Sequence, residues 1–249
     1  MLSIQNICAA GAFIIFASCA HAQPSPKMEY LKIESQVKLA IPEPSDASLS
    51  EDGSQIFIVS DNGILFATDL AGKVTKRFAD EGYDYEGVFQ KGSKIYVAEE
   101  RTRKVHEYDM ASGKRMGTHT IPFGGGRNKG YESLTFSKAK NCFIIITEKS
   151  PTVLLELTDD FGVRNEVELT GFSDISSATY YKEKMWILSD EDMTITRIDA
   201  NTYATEQAWK LPVMNPEGFY FSANGKELHV LSDDLGVDYK FDATNLLAY

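Results

Sequence analysis

Five short runs of β-branched and aromatic residues, each closed by an acid or ending beside one, recur along this chain and constrain its fold more than any other feature. They are Ile56-Phe57-Ile58-Val59-Ser60-Asp61, Ile95-Tyr96-Val97-Ala98-Glu99-Glu100, Phe143-Ile144-Ile145-Ile146-Thr147-Glu148, Trp186-Ile187-Leu188-Ser189-Asp190 and Leu228-His229-Val230-Leu231-Ser232-Asp233. Eight to ten residues after each acid a further run ends, at Asp69, Asp109, Thr158, Asp199 and Asp242. Ahead of each run stands a third element, centred on Asp46, Glu86, Glu132, Ser176 and Glu217, at successive steps of 40, 46, 44 and 41 residues. A period near 40 to 45 residues with several β runs per unit is the signature of propeller blades. No amphipathic helical pattern falls between the runs, which are bounded by Gly, Asp, Asn and Ser-Gly turns. The fold predicted is all-β, a single five-bladed β-propeller of four-stranded antiparallel blades. The fifth unit stops after three strands, and the stretch Glu34–Ile41 ahead of the first unit supplies the fourth, closing the ring and removing its free edges.

Residues Met1 to Ala22 contain no Asp, Glu, Lys or Arg and end in Ala20-His21-Ala22, an A-x-A pattern after a short apolar core. The segment reads as a cleaved signal peptide over 1–22, with a linker over 23–33 and the propeller over 34–249. An exported protein, periplasmic or extracellular, is the expectation. The alternative is a lipoprotein in which Phe16-Ala17-Ser18-Cys19 is a lipobox and Cys19 is acylated, the one route by which a membrane becomes a partner. Beyond that segment the sole thiol is Cys142, in a strand context that marks a buried, inert side chain. The net charge of −11, with no stripe of Lys and Arg, excludes a phosphate-backbone footprint and hence nucleic acid.

In a propeller the first strand of each blade lines the central channel, so equivalent positions converge. Here those positions read Asp46, Glu86, Glu132, Ser176 and Glu217, four acids and a hydroxyl. Clustered carboxylates cost free energy unless protons or a cation compensate them, and calcium takes six to eight oxygen ligands of this kind. No Cys or His joins the set, which disfavours zinc, copper and iron. Calcium held by Glu86, Glu132 and Glu217 is therefore expected, with Asp46 the weaker member because Pro44 alters its surroundings; the alternative is that the Glu-Gly pairs accept backbone hydrogen bonds at the channel mouth and fix the blade entry. A second set, Asp61, Glu100, Glu148, Asp190 and Asp233, ends the second strands. Such acids either close turns by accepting backbone N–H groups or, in the functional reading, form the polar rim of a ligand pocket. Glu100, Glu148, Asp190 and Asp233 are its candidate ligand-binding residues. The Gly-rich stretch Phe123–Gly130 lacks G-x-x-x-x-G-K-[ST] and opens no helix, so it is no P-loop. No G-x-S-x-G elbow occurs, and His106, His119 and His229 sit in strand contexts on different blades.

The ordered set Asp84-Tyr85-Glu86-Gly87, Gly130-Tyr131-Glu132-Ser133-Leu134, Glu148-Lys149-Ser150-Pro151, Asp174-Ile175-Ser176-Ser177-Ala178 and Pro216-Glu217-Gly218 resembles the SdiA-regulated, YjiK-like family. The resemblance runs from about Glu34 to Ala243. It implies a five-bladed propeller distantly similar to NHL-repeat propellers, exported or membrane-associated, with a calcium site, and it supplies no catalytic residues. The functional expectation is a calcium-binding module that takes a small ligand or a protein at the channel mouth. The alternative is a calcium-dependent hydrolase of the lactonase or phosphoesterase kind, which would need His229 or Glu148 as a base beside the ion.

Overall fold

The structure, a computed structural model, describes residues 28–122 and 130–247. The proposed signal segment, and all but Gly130 of the Gly-rich stretch between Phe123 and Gly130, lie outside the described residues. Everything regular in the described chain is β-strand, organised in five antiparallel sheets. Blade one comprises Pro44–Leu49, Ile56–Ser60, Ile64–Thr68 and Val74–Arg77. Blade two comprises Tyr85–Lys91, Lys94–Glu99, Lys104–Asp109 and Arg115–Thr120. Blade three runs through Tyr131–Ser137, Cys142–Thr147, Val153–Leu157 and Val163–Glu168, and blade four through Ser177–Tyr181, Lys184–Ser189, Thr194–Asp199 and Thr205–Lys210. The first strand of each blade packs against the first strands of both neighbouring blades, and the fifth returns to the first. The chain is a five-bladed β-propeller.

Closure occurs where the unfinished fifth unit predicted it. Blade five has Pro216–Phe221, Glu227–Ser232 and Val237–Asp242 from the C-terminal end, and Ile33–Lys38 pairs antiparallel to the last of these, with Val37 opposite Asp238. The stretch ahead, read from sequence as linker, also carries a short strand. Glu29–Tyr30 adds to the outer edge of blade four in parallel, opposite Trp209 and Lys210.

The core is divided into five apolar seams, one between each pair of neighbouring blades. Period-two alternation explains the division. On the second strand of blade three, Phe143 and Ile145 face the seam with blade two, while Cys142, Ile144 and Ile146 face the seam with blade four. Both faces are therefore apolar, and the strand reads as a continuous hydrophobic run. Cys142 is buried, and burial raises its thiol pKa, as its context predicted. Each third strand ends in an Asx or Thr turn: Asp69 Oδ1 accepts from the Lys73 N–H at 2.9 Å, and Asp199 Oδ1 from Thr202 N–H at 2.8 Å.

Candidate functional site

Four of the five first strands begin with a register shift that leaves one residue unpaired. Tyr85 faces Glu99 and Gly87 faces Ala98, so Glu86 is extruded between them. The same irregularity extrudes Glu132, between the pairs Tyr131–Thr147 and Ser133–Ile146, and Glu217, between Pro216–Ser232 and Gly218–Leu231. A bulge re-aims the extra side chain, and here it turns three glutamates to the axis. In blade one the shift falls between Pro44 and Asp46, so the equivalent residue is Ser45. This corrects the sequence alignment of Asp46 with Glu86 by one position. Ser45 and Ser176 play matching parts: the Ser45 hydroxyl donates to the Tyr85 carbonyl, and Ser176 Oγ donates to the Pro216 carbonyl at 2.8 Å. Each serine thus fixes the residue just before a glutamate of another blade.

Asp46 lies deeper in the channel. Its Oδ2 accepts from the Val88 N–H at 2.9 Å and its Oδ1 from the Ser177 hydroxyl at 2.8 Å, linking blades one, two and four. Burial raises its pKa to about 8. It is a fastener across the axis and does not line the cleft above it. The glycine after each of Glu86 and Glu217 has a steric cause. A Cβ on Gly87 would stand 2.7 Å from Leu134 N, and one on Gly218 would stand 2.7 Å from Asp46 Cα. Only a residue without a side chain lets neighbouring first strands approach this closely.

The three glutamates open into a cleft of about 280 Å3 whose lining includes every sequence-predicted site residue but Asp46: Glu86, Glu132 and Glu217 together with Glu100, Glu148, Asp190 and Asp233. The two sets of acids are thus one site. Asp61, Asp84, Asp174 and Glu191 complete a lining of eleven acids against two bases, Arg101 and Lys149. Counted as if every group were ionised, that surplus of nine is most of the chain's formal net charge of −11. Both bases are engaged: Arg101 Nε lies 2.5 Å from Asp84 Oδ2, and Lys149 Nζ lies 2.5 Å from Glu148 and 2.9 Å from Glu191.

Burial first, with repulsion from neighbouring carboxylates, holds eight of the cleft acids above their ordinary range. Glu86 and Glu132 are raised well above it. Glu217 is pushed up to about 8, Asp61 to about 7 and Glu100 to about 7. Asp174, Asp190 and Asp233 move in the same direction. Carboxylate oxygens of Asp84, Glu86 and Glu100 all lie within 4.8 Å of one another, the one such group among the described residues. All three belong to blade two, while Glu132 and Glu217 line the same cleft outside that triad. Asp84 escaped the sequence reading as a ligand, although its place two residues before the bulge, shared with Asp174 before Ser176, was a usable signal. The turn-closing role foreseen for the second set falls partly to other acids: Glu99 accepts from the Tyr83 N–H at 3.0 Å, and Asp174 from Asp190 and Glu191. Glu100 itself accepts from the Gly130 N–H at 3.2 Å.

None of the three histidines among the described residues reaches the cleft, and His106 and His119 share blade two, on its third and fourth strands, where the sequence had placed the three on different blades. His106 is buried against Glu99 and Thr118, and burial lowers its pKa. His119 stacks on Phe161 with ring centroids 4.5 Å apart, and His229 bonds to Asp238.

A family model described as SdiA-regulated matches residues 30–211, from the N-terminal strands through blade four. No curated protein matches the chain. Among solved structures, the β-propeller domain of Cps50 (Swd1) from Myceliophteria thermophila is similar at 14% identity and a TM-score of 0.48, covering 81% of this chain and 65% of that one.

Proposed function

The chain belongs to the SdiA-regulated family, and from that premise we propose that it is an exported calcium-binding propeller whose axial cleft receives a small ligand or a protein partner. The observation that carries the reading is the triad Asp84, Glu86 and Glu100, whose carboxylate oxygens gather within 4.8 Å. The donors are hard oxygens, with neither His nor Cys in the cleft lining, which suits calcium and not a softer ion. Asp84, Glu86 and Glu100 would hold the ion, and Glu132 and Glu217 would face it from blades three and five. When bound, the ion supplies positive charge to a cleft that otherwise must take up protons.

The hydrolase alternative asks for a base beside the ion. His229 is tied to Asp238 away from the cleft, and Glu148 is paired with Lys149, so we retain the binding reading. Export rests on the segment ending Ala20-His21-Ala22. N-terminal sequencing of the secreted protein should return Gln23 as the first residue, and an acylated Cys19 would replace the soluble form by an anchored one. The test of the cation site is thermal melting of the purified protein with calcium, with magnesium and after chelation. A calcium-specific rise of about 5–10 °C at a hundredfold excess over Kd is expected. Equal melting in calcium and chelator would overturn the proposal.

A further inference from the structure

A second cavity, of about 450 Å3, lies where the closing strand brings blade five against blade one, away from the acidic cleft. That volume falls within the range of small-molecule sites. One wall is apolar: Val37 of the closing strand, Leu49 and Ile56 of blade one, and Leu70 from the turn after the third strand of blade one. Leu70 is 58% exposed and Val37 43%, so large apolar side chains stand open at this groove. Other lining residues are polar, among them Tyr220, His229, Asp238 and Lys240. Asp238 is buried there and accepts from the Tyr220 hydroxyl at 2.9 Å and from His229 Nδ1 at 2.9 Å. The His229 and Tyr220 rings are stacked, with centroids 4.5 Å apart and planes 10° from parallel.

These contacts fix the tautomer of a neutral His229. A carboxylate only accepts hydrogen bonds, so Nδ1 must carry the hydrogen and Nε2 must present its lone pair. The nearest carboxylate to Nε2 is Glu227 Oε2 at 3.9 Å, beyond hydrogen-bond reach, and that carboxylate is already paired with Lys240 Nζ at 3.0 Å through Oε1. The polar end of the groove therefore offers an oriented acceptor, His229 Nε2, beside an ammonium donor, Lys240, in the same lining. A hydroxyl group matches both, since it donates once and accepts twice. An anionic head would meet Glu227 and Asp238.

We propose that this inter-blade groove is a binding site for a neutral molecule with an apolar body and a hydroxyl head, the hydroxyl donating to His229 Nε2 and the body lying on Val37, Leu49 and Leu70. The site is distinct from the cation cleft and exists only in the closed ring, because Val37, Leu70 and His229 come from distant parts of the chain.

The probe is 4-propylphenol, titrated calorimetrically into the full chain, with 4-propylanisole as the match that has lost its donor. The phenol should bind at least tenfold more tightly than the anisole. His229→Phe, which keeps a ring on Tyr220 but removes the acceptor, should erase that tenfold preference. Leu70→Asp, at an exposed position that puts folding at little risk, should weaken both probes tenfold. Glu86→Gln should change neither, which separates this site from the cleft. Absence of phenol binding to the wild-type chain overturns the proposal. So does equal affinity for phenol and anisole, or binding unaffected by both groove substitutions.

Discussion

The first strands of the propeller run side by side from an acidic mouth to a largely aromatic one, and the two ends make opposite contributions to the fold. At the start stand Ser45, Glu86, Glu132, Ser176 and Glu217. Three or four residues later stand Leu49, Phe89, Phe136, Tyr180 and Phe221, which line a cavity of about 300 Å3 at the other end. There Phe221 stacks on Tyr181 at 4.6 Å and meets Trp186 edge-on at 5.0 Å, and Lys91 Nζ sits 3.8 Å over the Phe136 ring. Aromatic contacts of this kind add to the apolar area they bury. The acidic mouth, by contrast, concentrates like charge in a half-buried cleft and takes protons to do so. One end of the channel holds the blades together, while the other spends part of that stability on a site.

The comparison is broken most severely from the stable end. Phe221→Ala should cost about 3–5 kcal/mol of folding free energy, because it empties the seam between blades four and five. Chemical denaturation measures it, and a loss below about 1 kcal/mol would mean that the aromatic end does not hold blades four and five together. Next comes the acidic end itself. Glu86→Gln combined with Glu100→Gln should abolish the calcium response, worth about 2.7 kcal/mol at a hundredfold excess over Kd. The same variant should melt no lower than wild type in chelator, since repulsion is relieved. Melting that stays calcium-dependent would move the ion away from the triad.

Gly87→Ala should cost about 1–3 kcal/mol, because its methyl group would press on backbone atoms of the neighbouring first strand. Differential scanning calorimetry of this variant reads the close approach of blades two and three. The remaining effect is read as a slope with pH, one pH unit at a time. Burial lifts the Asp46 carboxyl from 3.8 to about 8, so its contribution to stability is complete below the ordinary value and is lost as pH rises towards and through about 8. Under saturating calcium, wild type should lose up to about 1.4 kcal/mol per pH unit across that window. Asp46→Asn should match it near pH 4 and flatten the fall at pH 8. Parallel curves for the two proteins would remove Asp46 from the alkaline weakening.

The blade count, the strand runs and the closing strand were legible because their causes are local and repeated. Alternation in Phe143–Ile146 and the turn-forming Asp69 and Asp199 act over a few residues, and five copies in phase leave one architecture that pairs every strand. The candidate acids were legible for the same reason. Their equivalence was not, at one position: Ser45-Asp46-Ala47 mimics Tyr85-Glu86-Gly87 in pattern, and only the register shift opposite Ser60 shows that Ser45 holds the extruded place.

The sequence by itself therefore determined the fold, the closure and the acids that face the axis, since these follow from periodicity and side-chain type. Tertiary structure decided how the acids combine. It merged two sets, on the starts of first strands and the ends of second strands, into one cleft and added Asp84. It withdrew Asp46 to a buried fastening and set His229 against Asp238 beside an apolar wall. Each of those outcomes depends on distances between segments far apart in the chain, fixed by strand register and ring closure, which no local pattern encodes.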